Sequence, residues 1–146
     1  GALLRRAVDA RFATMFFAAL TADGVMQYSN AGQEPPAVVR ADGTVDHLDV
    51  GGPVLGLLSG ASYEYATAVL KPGDIVMLCS DGVTEARNAD GDEFGAGRLA
   101  ALLRDAHGQE PEAVLDVVLK AVREFAGREP QTDDITALVL RYRGSS

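Results

Sequence analysis

Ile75-Val76-Met77-Leu78-Cys79-Ser80-Asp81-Gly82-Val83-Thr84-Glu85 is the stretch that decides how this chain folds. Five consecutive apolar residues bounded by turn formers predict a buried strand. Asp81 and Gly82 follow almost at once. Glycine permits a sharp turn and lets a ligand approach the backbone, so Asp81 is expected at the rigid end of a buried element. A second stretch runs in the opposite sense. Thr132-Asp133-Asp134 leads directly into the apolar run Ile135-Thr136-Ala137-Leu138-Val139-Leu140. Carboxylates at the ends of two strands, from distant parts of a chain, can converge on one hard cation. Each stretch alone also has a plainer reading. Asp81 can cap a helix. Asp133 and Asp134 can be a solvated pair, or Asp134 can close its own turn. Two adjacent acids repel unless something positive compensates. Thr132 and Thr136 are hydrogen-bonding partners on either reading.

Outward from these stretches the chain reads as strands, then helices, then a strand. Leu3, Leu4, Ala7 and Val8 give Ala2 to Ala10 a helical period. Phe12 to Leu20 suits a buried strand, with a helix left open by period alone; Ala22-Asp23-Gly24 suits a hairpin turn, and Val25 to Ser29 the returning strand. Ala37 to Arg40 and Val45 to Leu48 form a second hairpin about Ala41-Asp42-Gly43-Thr44. Gly51-Gly52-Pro53 with Gly56 is irregular, and Tyr63 to Leu70 alternates like a strand. Lys71-Pro72-Gly73-Asp74 turns into Ile75. Beyond Asp81, Val83 to Arg87 suits a short helix and Gly95 to His107 a longer one. Pro111 to Ala126 has Val114, Leu115, Val118, Leu119, Val122 and Phe125 on one face, Pro111 in its first turn and Gly127 at its end. Ile135 to Tyr142 is a closing strand. This order predicts an α+β fold, helices covering a mostly antiparallel sheet.

The chain has 146 residues, suited to one domain over 1–146. Its formal charge of -8 disfavours nucleic acid and anionic membranes as main partners. An acidic chain that handles phosphate needs cations to screen it. No apolar run reaches the roughly 20 residues of a membrane helix, so this domain is not expected to contact a membrane. The single cysteine, Cys79, excludes an internal disulfide framework and fits a buried core position in a reducing, cytoplasmic setting. Asn88 to Glu93 departs from a calcium loop, with Glu93 at the sixth position and Leu99 at the twelfth, and reads as a surface turn. His47 and His107 read as surface residues. Gly51 to Gly56 lacks the Lys-Ser/Thr of a phosphate loop.

Taken together, the motifs resemble the SpoIIE/RsbU-type branch of the PPM (PP2C-like) serine/threonine phosphatases. The resembling residues are Phe12 to Phe17, Tyr28-Ser29-Asn30-Ala31-Gly32 with Pro35-Pro36, Gly52 to Leu57, Leu70 to Asp74, Ser80 to Ala86, and Glu129 to Thr136. The resemblance implies a PP2C-like α-β-β-α sandwich. It implies Mg²⁺ or Mn²⁺, two ions in the intact domain, and a metal-activated water attacking phosphoserine or phosphothreonine. By motif match Asp81 and Asp133 are the metal ligands and catalytic residues, supported by Gly82 and Asp134. The implied substrate is a phosphorylated STAS-domain protein, an anti-anti-sigma factor in bacterial sigma-factor regulation.

Two departures from the family pattern stand out, and the first bears on activity. The family's first acidic strand and its Gly-Asp-Val-x-Gly-Lys/His-Gly segment, source of the metal-bridging aspartate, have no counterpart here. The resemblance therefore covers the C-terminal two-thirds of the catalytic domain. Two carboxylates alone should bind Mg²⁺ weakly, so the stretch by itself is expected to be inactive or nearly so. The absent N-terminal strands should leave sheet edges unpaired, which invites a homodimer. Gln33-Glu34 stands where many members have His-Asn. The alternatives are a non-catalytic regulatory module of the same fold, a pseudophosphatase, and a small-molecule phosphatase on the same scaffold.

Overall fold

A computed structural model describes residues 14–53, 55, 60, 62–131 and 133–144. The helix expected over Ala2 to Ala10 lies outside the described residues, as does the start of the strand expected from Phe12. Strand β1 (Met15–Leu20) turns through Ala22-Asp23-Gly24 into β2 (Val25–Ala31), in antiparallel register from Met15↔Ala31 to Leu20↔Met26. β3 (Ala37–Val39) and β4 (Val45–His47) form the second hairpin. The stretch expected to be irregular supplies β5 (Gly51–Gly52), which runs parallel to the end of β2. Gly51 makes this possible, because a Cβ there would come within 1.7 Å of the Asn30 carbonyl oxygen. β6 (Ala66–Val69) is shorter than the alternation from Tyr63 suggests and pairs with the first half of β2.

β7 (Ile75–Cys79) is the central apolar run, and β8 (Ala137–Arg141) pairs with it from Cys79↔Ala137 to Ile75↔Arg141. β4, β3, β7 and β8 form an antiparallel sheet in that order, stacked on the sheet of β1, β2, β5 and β6. Successive side chains of a strand point to opposite faces. Val76 therefore enters the layer between the sheets with Met26, Tyr28, Val38, Leu48 and Leu70. Ile75, Met77 and Cys79 face helices instead. A strand covered on both faces reads as a continuous apolar run, which is why β7 was unambiguous.

The helices are α1 (Asp81–Thr84), α2 (Gly95–Asp105) and α3 (Pro111–Ala126). α3 buries Val114, Val118 and Val122 at four-residue spacing, and α2 buries Leu99 and Leu103 against the same core. Leu115 and Leu119 lie off that stripe and are only half-buried. Fully burying such a side chain contributes about 1.5–3 kcal/mol. Phe94 meets Phe125 edge to face at 5.5 Å, closing the helix layer. β1 and β8 are edge strands among the described residues. No described helix is long and apolar enough to cross a membrane.

Candidate active site

β7 and β8 lie side by side and run in opposite directions, so the chain leaving β7 meets the chain entering β8. Past the last strand pair, the Ser80 N–H donates to the Thr136 carbonyl at 2.8 Å. The Ser80 hydroxyl donates to the Asp134 carbonyl at 2.9 Å and accepts from the Thr136 N–H at 2.9 Å. Gly82 lies directly against this segment: a Cβ would meet the Asp134 oxygen at 2.3 Å. Asp81 and Asp133 are thereby brought to one cleft of about 180 Å³ from positions 52 residues apart in the chain.

Asp81 is not the helix cap. Ser80 occupies the N-cap position and Asp81 is the first residue of α1. Asp133 accepts the Asp134 N–H through Oδ1 at 2.8 Å, so Asp133, not Asp134, closes the local turn. Asp134 contributes to the described contacts through its backbone, and its side chain is exposed. Thr132 lies outside the described residues.

Glu34 joins this cleft, a residue whose role sequence reasoning missed. Buried Asn30 organises the loop that carries it. Its Oδ1 accepts the Gln33 N–H at 2.8 Å, and its Nδ2 donates to the carbonyls of Gln33 and Leu48 at 3.0 and 3.2 Å. Burial raises the Glu34 pKa, and the charge of Asp81, its hydrogen bond to Asp81 and the charge of Glu85 push the same way against His47. The usable signal was the adjacency of Glu34 to Asn30-Ala31-Gly32. Below the cleft, buried Cys79 has its thiol pushed up to about 11 by burial and then by Glu34 and Asp81.

Glu34, Asp81, Asp133 and Asp134 line the cleft, and none has a salt-bridge partner among the described residues. Hard oxygen donors around an uncompensated acidic cleft fit Mg²⁺ or Mn²⁺ in kind. They do not complete a site: among the described residues no group of three or more His, Cys, Asp or Glu side chains is placed to hold a metal ion. A separate cavity of about 220 Å³ lies behind Gly82 against Val122, Ala126 and Ile135, away from the aspartates. His47 and His107 are exposed, and Asn88 to Glu93 is a surface turn in which Asn88 Oδ1 accepts the N–H groups of Asp90 and Asp92.

Two stacked, mostly antiparallel sheets, a helix layer on one of them and acids gathered at one end define a PP2C-type domain. The chain superposes on the SiaA PP2C domain of Pseudomonas aeruginosa with a TM-score of 0.72 and 24% identity, over 82% of this chain and 47% of that one. The family model of Stage II sporulation protein E (SpoIIE) matches residues 1–143, and the chain belongs to that family. Protein IcfG of Synechocystis is 30% identical over 92% of this chain and 21% of its own length. Phosphoserine phosphatase RsbU of Bacillus subtilis is 39% identical over 58% of this chain and 26% of its own length. The chain thus spans about a quarter of each of these relatives.

Proposed function

We propose that residues 1–146 are part of a metal-dependent phosphatase domain that hydrolyses phosphoserine or phosphothreonine on a STAS-type protein of a sigma-factor pathway. The observation that carries this reading is the convergence of Asp81 and Asp133 in one cleft, with no salt-bridge partner for either among the described residues, in a member of the SpoIIE family. The name of RsbU, a phosphoserine phosphatase, supports the substrate class. Asp81 and Asp133 would hold Mg²⁺ or Mn²⁺, Glu34 adds a carboxylate beside Asp81, and Gly82 and the Asp134 backbone set their separation. Bound divalent ions supply charge screening for the phosphate and a water of lowered pKa. Water cleaves the phosphorus–oxygen ester bond, giving inorganic phosphate and the free hydroxyl side chain.

A second reading, a regulatory module that binds its partner without catalysis, is favoured by the incomplete ligand set among the described residues. Mn²⁺-dependent release of phosphate from p-nitrophenyl phosphate and a phospho-STAS protein by the full-length protein separates the two. Activity lost in Asp81→Asn and Asp133→Asn supports the phosphatase. A folded, inactive protein that still binds the STAS partner supports the module. The stretch alone is expected to turn over little substrate. The edges of β1 and β8 support self-association, which light scattering at high concentration reads directly.

A further inference from the structure

The serine before a helix ordinarily caps it, its hydroxyl oxygen accepting an N–H of the first turn. Ser80 stands at that position with φ -78° and ψ 167°, yet its side chain makes no capping bond to α1. The hydroxyl is turned across to the other aspartate-bearing segment. It donates to the Asp134 carbonyl and accepts the Thr136 N–H, both at 2.9 Å, while the Ser80 N–H holds the Thr136 carbonyl at 2.8 Å. Among the described residues, every hydrogen bond from 133–136 to a distant segment goes to Ser80. Asp81 is the next residue in the chain, and Asp133 precedes the carbonyl that Ser80 grips.

We infer that Ser80 is the positioning residue of this site: its hydroxyl fixes the placement of Asp133 relative to Asp81, and so sets cation affinity without touching the cation. This rests on the reading of Asp81 and Asp133 as ligands. The geometry explains why a cap is forgone. A cap contributes about 1 kcal/mol to a helix, and α1 is a single turn buried at Val83 and Thr84. The same hydroxyl spent across the gap satisfies one donor and one acceptor of a segment that has left the sheet ladder. Outer partners that orient metal ligands typically control affinity by 10–100-fold.

The test uses the full-length protein and Mn²⁺ alone as probe, with free Mn²⁺ read by electron paramagnetic resonance and the metal-free unfolding midpoint read alongside. Ser80→Ala should weaken Mn²⁺ binding by about 10–100-fold. Ser80→Thr keeps the hydroxyl and should bind as the parent does. Ser80→Cys keeps the shape with a weaker donor, should fall between the two, and serves if Ser80→Ala does not fold. A folded Ser80→Ala with parental Mn²⁺ affinity overturns the inference whatever its unfolding midpoint, as does Ser80→Thr binding no better than Ser80→Ala. Asp81→Asn isolates the underlying reading. Unchanged affinity there overturns the ligand assignment and this inference together. Affinity lost in Asp81→Asn but kept in Ser80→Ala overturns the inference alone.

Discussion

β7 has an aspartate at each end, and the two are treated in opposite ways. Asp74, just before the strand, is 1% exposed. Its carboxylate takes the Arg40 guanidinium at 2.9 Å and the N–H groups of Ala41 and Lys71 at 3.1 and 2.8 Å. Among the described residues every hydrogen-bond partner of this carboxylate is a donor, so the charge is neutralised in place and Asp74 works as a clasp between two turns. Asp81, two residues beyond the strand, is exposed, and Glu34, Asp133 and Asp134 share its cleft. A carboxylate surrounded by donors stabilises a fold. One surrounded by carboxylates costs stability until a cation arrives. The comparison sets a structural acid against the acid proposed to be functional, within a single strand and its flanks.

Making the same chemical change at both ends tests that separation. Asp81→Asn in the full-length protein should lower Mn²⁺-dependent phosphate release by on the order of a thousandfold, since a catalytic divalent ion supplies several kcal/mol of charge stabilisation. Its metal-free unfolding midpoint should hold or rise, because a repulsion is relieved. Asp74→Asn should do the reverse. Breaking a buried pair costs 3–5 kcal/mol, and Arg40 is 26% exposed, so a loss of about 3 kcal/mol is expected in urea unfolding. Activity per folded molecule should be unchanged. A destabilised Asp81→Asn, or an inactive but folded Asp74→Asn, would erase the distinction.

Gly82→Ala probes the same end through packing. In a helix alanine is favoured over glycine by about 1 kcal/mol. Here the new Cβ would sit 2.3 Å from the Asp134 oxygen, a backbone atom with no side-chain freedom to move aside. Overpacking of this kind costs 1–3 kcal/mol, so the clash should win. A net loss of about 1–2 kcal/mol is expected by denaturant unfolding, accompanied by weaker Mn²⁺ binding. A stabilised variant would mean that the two segments are not pressed together as the geometry has them.

Much of this contrast was legible in the sequence, because it rests on local pattern. β7 announced itself through five apolar residues, and Pro111 with Gly127 bounded α3 at Pro111–Ala126 as read. The convergence of Asp81 with Asp133 followed from each standing beside an apolar run. What was not legible depends on tertiary approach. β5 exists because Gly51 can lie against Asn30. β8 begins at Ala137 and not at Ile135, because the segment before it bonds to Ser80 beyond the end of β7. Asp74 looked like a turn residue, since nothing local reveals that Arg40 will reach it. Glu34 entered the cleft through the Asn30 amide, an interaction spanning a loop that no periodicity marks.

Glu34 gives the smallest effect and the sharpest sign. Its pKa is raised in the folded protein, by burial first and then by Asp81. A carboxyl titrates near 4.3 when unperturbed, about the value expected in the unfolded chain. Below that value both states hold the proton and Glu34 contributes nothing to the pH dependence. As pH rises through the window up to the folded pKa, the unfolded chain releases its proton more readily, so stability falls with pH. Above the folded pKa the penalty is complete. Glu34→Gln, which cannot ionise, should therefore unfold at a higher temperature than the parent at pH 7 without metal. Solvent screens much of this effect at a partly exposed carboxyl, so the rise should be small, roughly 1–2 °C, a fraction of a kcal/mol in a domain of this size. The advantage should shrink to nothing as pH drops to about 4. Saturating Mn²⁺ should reverse the order, because the parent then gains a compensated carboxylate that the variant lacks. Parallel midpoint curves for the two proteins across pH 4–7 would place Glu34 with the structural acids, at the Asp74 end of the comparison.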